Sequence, residues 1–226
     1  MAADASPPIQ LAATVVPMRP APAAPEILLL QRAAGLAFFG GAWVFPGGRV
    51  DPEDGDPSDF VAVGKRAALR ELAEEAGIEV EPASLTLISR WLTPPGQARR
   101  FDTLHFIARA LPDQSVTIQA AEVAGYRWIA AQEALRLHAL GELELPPPTF
   151  VTLTCLAPLT SIEEACEVLG KSPMHYVPRP QRFDDGLIYL YAEDAGYELD
   201  DVNAPGARHR LHVPKGKGGQ SWRYER

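Results

Sequence analysis

The chain has 226 residues, of which 46% are hydrophobic and 22% charged, and its formal net charge is −8. This composition is typical of a globular protein, and the excess of acids argues against general binding to nucleic acid or to a membrane surface. No apolar run approaches the roughly 20 residues that span a bilayer, and the N-terminus lacks the pattern of a signal peptide. With only two cysteines, the sequence predicts a cytoplasmic protein with reduced thiols.

The first part of the chain mixes strand-like and helical segments. A helix is predicted from Ser58 or Asp59, either of which can act as its N-cap, to Ala76, with Gly77 just beyond its end. A second helix is predicted at "AQEALRLHAL". Runs rich in β-branched and aromatic residues predict strands at "IQLAATVVPM", "EILLLQR", "SLTLISRWLT", "FDTLHFIARAL" and "GYRWIA".

The character of the chain changes after residue 145. Two helices are predicted at "LPPPTFVTLTCLAPL" and "SIEEACEVLG", and a proline-rich tail follows them. In that tail "GLIYLYA" and "HRLHV" are strand-like, and we expect them to pair as a hairpin. We therefore predict a core domain over residues 1–145 and an extension over residues 146–226 that packs on it.

The predicted helix ending at Ala76 carries a cluster of glutamates. At 100° per residue, Glu71, Glu74 and Glu75 fall within an arc of about 100°. Leu72 and the other apolar residues of this segment lie on the opposite side. The helix is therefore predicted to face the core on one side and to carry a carboxylate cluster on the other.

Clustered like charges need a compensating partner. A like-charged pair at i and i+4, such as Glu71 and Glu75, destabilises a helix by about 0.2–0.5 kcal/mol, and the helix dipole adds to this near a C-terminus. A solvated acidic face is one interpretation. The other is a site for Mg²⁺ or Mn²⁺, which prefer carboxylate and carbonyl oxygens and recruit phosphates. The upstream glycine turn "FPGG" and further acids favour the metal site.

The segment from Arg70 to Ile78, "RELAEEAGI", resembles the second half of the Nudix hydrolase signature, G-x5-E-x7-R-E-U-x-E-E-x-G-U, in which U is aliphatic. Gly48 fits the first glycine of that signature, and Asp54 stands where the family has glutamate. An eight-residue insertion, about "GDPSDFVA", then separates the two halves. The insertion, together with "WLTP" and "RRFDT" downstream, is similar to a Nudix branch that includes a peroxisomal coenzyme A diphosphatase.

The resemblance implies a fold and a set of ligands. It implies an α/β/α sandwich, in which a mixed β-sheet lies between the glutamate helix and the helix that begins at Gln132, plus the helical and hairpin extension. It also implies that water attacks a phosphorus atom with the help of Mg²⁺ or Mn²⁺. The metal ligands it implies are Glu71, Glu75 and the Gly47 carbonyl, with Glu74 as a further ligand or as the residue that positions the water.

The same resemblance suggests candidate catalytic residues. These are Arg70, Glu71, Glu74 and Glu122. Arg70 is expected to orient a glutamate, and Asp54 to pair with Arg70 or to cap the turn. The general base is either a glutamate of the signature or an acid on a later loop, for which Glu122 is the candidate.

Other residues near the signature can contact the substrate. Arg99 and Arg100, beside a proline–glycine loop, could bind its phosphates, although strand-edge charges without a ligand are the alternative. Phe38, Phe39, Trp43 and Trp91 could stack on a base, but aromatic residues in strands more often belong to the core. His105 is expected to be a packed strand residue, because Mg²⁺ does not favour imidazole.

The expected substrate is a nucleoside diphosphate derivative of the coenzyme A or acyl-coenzyme A, ADP-ribose or NADH type. The coenzyme A motif of the family is only partly present: Leu28, Leu29 and Gly41 match, whereas Leu30, Ala33 and Ala37 replace its Thr, Ser and Arg. The alternative function is a catalytically weak Nudix-fold module that binds nucleotides or a partner protein. Two roles of the extension stay open, since it could cover one side of the site or build a homodimer.

Overall fold

The computed structural model describes residues 7–36, 39–183, 185–216 and 222–226. The helices are α1 (Phe60–Ala76), α2 (Ala131–Ala139), α3 (Pro147–Leu156) and α4 (Ile162–Gly170). The strands are β1 (Ile9–Arg19), β2 (Glu26–Arg32), β3 (Trp43–Val44), β4 (Gly47–Arg49), β5 (Thr86–Leu92), β6 (Arg100–Arg109), β7 (Val123–Ala130), β8 (Met174–Tyr176), β9 (Arg179–Phe183), β10 (Gly186–Leu190), β11 (Arg210–Pro214) and β12 (Arg223–Glu225).

The larger sheet has the strand order β3-β2-β1-β6-β5-β8, with β4 paired to β1 and β7 paired to β2. Strand β1 runs parallel to β6, and β5 runs parallel to β8. The other pairs in this sheet are antiparallel. The sheet is therefore mixed, as predicted.

Alternate residues of the central strands pack on opposite faces of this sheet. Val15 and Leu28 belong to the cluster that contains Leu72 of α1. Val16 and Leu29 belong to a second cluster, shared with α2, α3 and α4. Because successive side chains of a strand point to opposite faces, helices cover both sides of the sheet, and the predicted α/β/α sandwich is confirmed.

Helix α1 begins and ends at the predicted caps. The side chain of Asp59 accepts a hydrogen bond of 3.1 Å from the Ala62 N–H, and Gly77 has the left-handed conformation that ends many helices, with φ of 64°. Gly64 brings the helix close to the sheet, because a Cβ there would lie 2.6 Å from Leu104 Cδ1. In the described ranges no helix has the length and apolar character needed to cross a membrane.

The eight-residue insertion is divided between a turn and the start of α1. Its first five residues form the turn before the helix and end at the cap Asp59, whereas Phe60 to Ala62 form the first helical residues. The Phe60 ring lies 4.3 Å below the Arg90 guanidinium. The insertion thus lengthens the helix at its N-terminus and leaves the glutamates at its C-terminal end.

The residues after Pro146 pack on the face of the larger sheet opposite α1 and extend one of its edges. Strand β8 joins the edge of the larger sheet, and β12-β11-β10-β9 form a second, antiparallel sheet. The predicted pairing of β10 with β11 is confirmed. Strands β9 and β12 are not predicted from the sequence, because "RPQRF" and "RYE" are short, polar segments without strand alternation.

Candidate active site

A cleft of about 930 Å³ lies at the C-terminal half of α1. Its walls come from β1, the glycine turn that leads into β4, the start of β6 and the loop before β7. The acids Asp51, Glu71, Glu74, Glu75 and Glu122 and the arginines Arg32, Arg49, Arg70, Arg99 and Arg100 line it. The cleft can therefore offer carboxylates and guanidinium groups to one ligand.

Glu75 is the buried acid of this cleft, with 6% of its surface exposed. Its Oε2 accepts a hydrogen bond of 2.9 Å from the Gly47 N–H. Burial raises the pKa of Glu75 to about 7, and the nearby carboxylates of Glu71 and Glu122 contribute in the same direction, against the effect of the Gly47 bond. A cation would favour the charged form of this carboxylate.

Glu71 and Glu74 lie beside Glu75 but are less buried. Burial also raises the pKa of Glu71, and only part of this is offset by Arg70. Gly48 lies directly against the Glu71 carboxylate, where a Cβ would collide with its oxygens. Glu74 is exposed. The glycine turn therefore packs on the acidic face of the helix and buries the three glutamates to different extents.

Arg70 links the two halves of the Nudix signature. Its guanidinium donates to both carboxylate oxygens of Asp54, at 3.1 and 2.9 Å. It also donates to Glu71 at 2.9 Å, to Glu74 at 3.1 Å and to the Arg49 carbonyl at 2.9 Å. The guanidinium fork thus fixes Glu71, Glu74 and the turn that contains Asp54 relative to one another.

Asp54 both pairs with Arg70 and caps the turn, the two expected roles. Its Oδ2 accepts a hydrogen bond of 2.8 Å from the Asp51 N–H. Burial acts to raise the pKa of Asp54, but the hydrogen bonds from Arg70 and from that N–H outweigh it and lower the pKa below its usual value. The aspartate therefore stays charged and can serve where the family has glutamate.

The donor chemistry of the cleft fits a hard divalent cation. Carboxylate oxygens are preferred by Mg²⁺ and Mn²⁺, and the buried Glu75 lies beside another carboxylate. As the side chains stand, no three Asp, Glu, His or Cys groups within the described ranges converge to hold a metal. Glu71 and Glu74 both accept hydrogen bonds from Arg70, and Glu75 accepts one from Gly47.

The other predicted site residues line the same cleft. Glu122 is exposed, and its charge contributes to the raised pKa of Glu75. Arg99 is exposed in the cleft wall, whereas the Nε of Arg100 donates to the Thr93 carbonyl at 3.1 Å. The fold therefore brings all the predicted site residues into one cavity.

The aromatic candidates separate into core and cleft residues. Trp43 is buried in the core, and the Arg127 guanidinium lies 5.0 Å from its ring. Trp91 is also buried and stacks on Tyr176, with ring centroids 3.9 Å apart. Phe39 is exposed and lines the cleft. Phe38, like Ala37 of the partial coenzyme A motif, lies outside the described residues.

His105 is a packed strand residue, as predicted. It is 4% exposed, and burial lowers its pKa to about 3. Sequence reasoning missed Arg32, at the end of β2, which lines the cleft and acts to lower the pKa of Glu75. The residues around Arg32 form no motif, so only the pairing of β2 in the sheet brings it to the glutamates.

Comparison with known proteins agrees with this geometry. A model of the NUDIX domain matches residues 8–147. The chain is 34% identical to acyl-coenzyme A diphosphatase NUDT19 of Homo sapiens over 119 residues. This match covers 50% of this chain and 32% of that protein. It is 30% identical over 121 residues to CTP pyrophosphohydrolase of Escherichia coli strain K12, covering 54% of this chain and 78% of the relative.

A solved structure shares the architecture. The NUDIX hydrolase from Alicyclobacillus acidocaldarius has a TM-score of 0.65 and 27% identity, covering 74% of this chain and 99% of that chain. The match to the human diphosphatase spans about a third of that relative's length, and it agrees with the branch that the insertion predicts. Because the NUDIX model covers well over half of the residues and the signature acids share one cleft, the chain belongs to the Nudix family.

Proposed function

We propose that this protein is a metal-dependent hydrolase that cleaves a pyrophosphate bond in a nucleoside diphosphate derivative. The observation that carries the proposal is the buried carboxylate of Glu75, which lies beside Glu71 and against the Gly47 turn in a cleft that also holds arginines. Buried carboxylates that repel each other favour a cation. Arginines in the same cleft favour a phosphate-containing ligand.

The carboxylates of Glu71, Glu74 and Glu75 and the carbonyl of Gly47 would hold Mg²⁺ or Mn²⁺. When bound, the cation would neutralise phosphate charge and lower the pKa of a coordinated water. Arg70 is proposed as a positioning residue, because its guanidinium contacts Glu71, Glu74 and the turn before α1. Asp54 keeps the guanidinium in place through two hydrogen bonds.

Glu122 is proposed as the general base that accepts a proton from the attacking water. It is exposed in the cleft, on the loop before β7. Its negative charge acts to raise the pKa of Glu75. A glutamate of the signature is the other candidate for this role. Attack by water breaks one phosphorus–oxygen bond of the pyrophosphate, and each product leaves with a terminal phosphate.

Arg99 and Arg100 are proposed to bind the substrate phosphates. Arg99 is exposed in the cleft wall. Arg100 also lines the cleft, and its Nε donates to the Thr93 carbonyl. Two neighbouring guanidinium groups suit a diphosphate, because each can donate two parallel hydrogen bonds.

The substrate is proposed to be a coenzyme A or acyl-coenzyme A, ADP-ribose or NADH type of molecule. Similarity to the acyl-coenzyme A diphosphatases supports the first class, over half of this chain. The alternative, a module that binds nucleotides without turnover, is disfavoured because the three signature glutamates are all present and share the cleft. The cytoplasmic location, the homodimer and the division at residue 145 stay predictions.

A substrate screen tests the proposal. The purified chain is mixed with Mg²⁺ or Mn²⁺ and with coenzyme A, acetyl-coenzyme A, ADP-ribose, NADH and CTP, and the products are identified by mass spectrometry. We expect metal-dependent release of phosphopantetheine, AMP or ribose phosphate from one class, abolished by EDTA. Absence of turnover for every compound, together with measurable binding of one, would favour the nucleotide-binding module instead.

A further inference from the structure

A second cavity of about 390 Å³ opens from the active-site cleft. We call it the side pocket. Thr14, Val44, Phe45, Phe101 and Thr103 line both spaces. Thr14 of β1 lies opposite His105 of β6 in the sheet, and His105 lines only the side pocket. A ligand can therefore extend from the cleft into the side pocket along the same sheet surface.

The two cavities differ in charge. The cleft is lined by acids and arginines, whereas none of the described residues that line the side pocket is an Asp, Glu, Lys or Arg. Among these described residues His105 is the only titratable base, and burial keeps it neutral. Phe45, Trp91 and three consecutive prolines from Pro146 contribute much of its wall. The side pocket is thus unsuited to a phosphate and suited to an uncharged group with an apolar body.

The wall also contains polar atoms that lack partners. His105 Nδ1 and the Tyr191 hydroxyl are buried and make no hydrogen bond within the described residues. Buried polar atoms without partners are uncommon in native proteins, and beside a cavity they indicate a missing water or ligand group. The bound group should therefore carry at least one hydrogen-bonding atom.

The C-terminal extension forms one side of this cavity. Pro178, Tyr189 and Tyr191 line it, and all three follow the core domain in the sequence. Tyr191 is held in place by edge contacts to Trp91 and Tyr176, with ring centroids 5.8 and 5.1 Å apart. The wall is thus preorganised, which lowers the cost of ordering side chains on binding.

We propose that the side pocket binds the uncharged group attached to the substrate diphosphate, and that Tyr189 and Tyr191 of the extension are specificity-determining residues. The proposal rests on the hydrolase function proposed above. The bound group has an apolar body and a hydrogen-bonding atom, a chemistry that both a nucleobase and an amide-linked chain such as pantetheine provide. The extension then completes the substrate site of the core domain.

Binding of uncharged substrate fragments tests this assignment without relying on turnover. Adenosine and pantetheine are titrated into the full chain with Mg²⁺ present, with inorganic pyrophosphate as the charged probe. We expect one fragment to bind. Tyr191→Phe should raise its Kd about fivefold, because one hydrogen bond is lost. Tyr189→Ala should raise the Kd by more. Pyrophosphate binding should be unchanged in both variants.

Tyr176→Phe is the matched control. Tyr176 packs against the same aromatic residues but does not line the side pocket, and its hydroxyl contacts Tyr224 at 3.2 Å. We expect it to leave fragment binding unchanged. For any substrate found in the screen, Tyr191→Phe should raise KM with little change in kcat, because the contact persists from bound substrate to transition state.

The outcomes separate the two proposals. A fragment that binds and depends on Tyr189 and Tyr191 supports the side pocket, and the identity of the fragment distinguishes a nucleobase from an amide chain. If neither fragment depends on these residues in folded variants, the side-pocket proposal is wrong even when the chain hydrolyses a substrate. Absence of all turnover overturns the hydrolase function, and fragment binding then decides the side pocket by itself.

Discussion

The Glu75 carboxylate accepts a hydrogen bond of 2.9 Å from the Gly47 N–H. This contact joins the glycine turn to the end of α1, across 28 residues of sequence that include the insertion. The turn therefore returns to the glutamates although the insertion lies between them. The buried, hydrogen-bonded carboxylate is the centre of the proposed metal site.

Glu75→Gln should lower turnover by about 100-fold or more, because the amide removes a charge from the metal site and keeps the size of the side chain. Kinetics over a Mg²⁺ titration measure this, and thermal unfolding checks that the fold persists. Glu79→Gln changes an exposed glutamate beyond the helix, outside the cleft, and should be neutral. Near-normal activity of Glu75→Gln would refute the metal assignment.

Gly48→Ala should also impair activity, by about 10- to 100-fold in kcat/KM. The added Cβ would overlap the Glu71 carboxylate, and displacing a catalytic group by about 1 Å costs about 100-fold. Gly125→Ala is the control, because its Cβ would meet only Gln31 Oε1, at 3.8 Å. Equal kinetics for both variants would show that the close approach of the turn is unimportant.

Arg70→Lys keeps the positive charge but loses the planar fork that contacts Asp54, Glu71 and Glu74. We expect a 10- to 100-fold lower activity and a higher Mg²⁺ requirement, as is typical when a residue that orients ligands is changed. Combining this change with Asp54→Asn should cost less than the sum of the two, because the residues act as a pair. Additive effects would contradict the positioning role.

The extension contains a buried ion pair whose loss should destabilise the protein. Asp194 and Arg210 share two hydrogen bonds of 2.6 Å, with side chains 0% and 4% exposed. Asp194→Asn leaves the buried guanidinium without a compensating charge, which typically costs about 3–5 kcal/mol. Chemical denaturation measures this, and Asp113→Asn, in an exposed loop, is the control. A cost below about 1 kcal/mol would contradict the assigned role.

The same pair should affect stability in acid. Burial acts to raise the pKa of Asp194, but hydrogen bonds from Arg210 and from the His209 and Gly196 N–H groups outweigh it and lower the pKa to about 2. A lowered folded-state pKa contributes stability that is fully present above pH 4 and is lost as the pH falls towards 2, about 2 kcal/mol in all. The difference in unfolding free energy between the wild type and Asp194→Asn should therefore shrink across this range.

Local sequence was enough to predict α1, its caps and the family. Asp59 and Gly77 are the caps that the sequence predicts, because capping depends on residues a few positions apart. The pairing of β10 with β11 was also predicted. The strands β9 and β12 were not, since short polar segments become strands only where a neighbouring strand pairs with them.

The sequence by itself determined that three glutamates lie on one face of a helix, because helical periodicity follows from spacing alone. Only the tertiary structure decided that Glu75 is buried, Glu71 half-buried and Glu74 exposed. That difference arises because the Gly47–Gly48 turn packs over one edge of the face. Likewise, only the packing of the extension on the sheet places Tyr189 and Tyr191 beside the cleft, since residues so distant in sequence meet through tertiary contacts and not through local pattern.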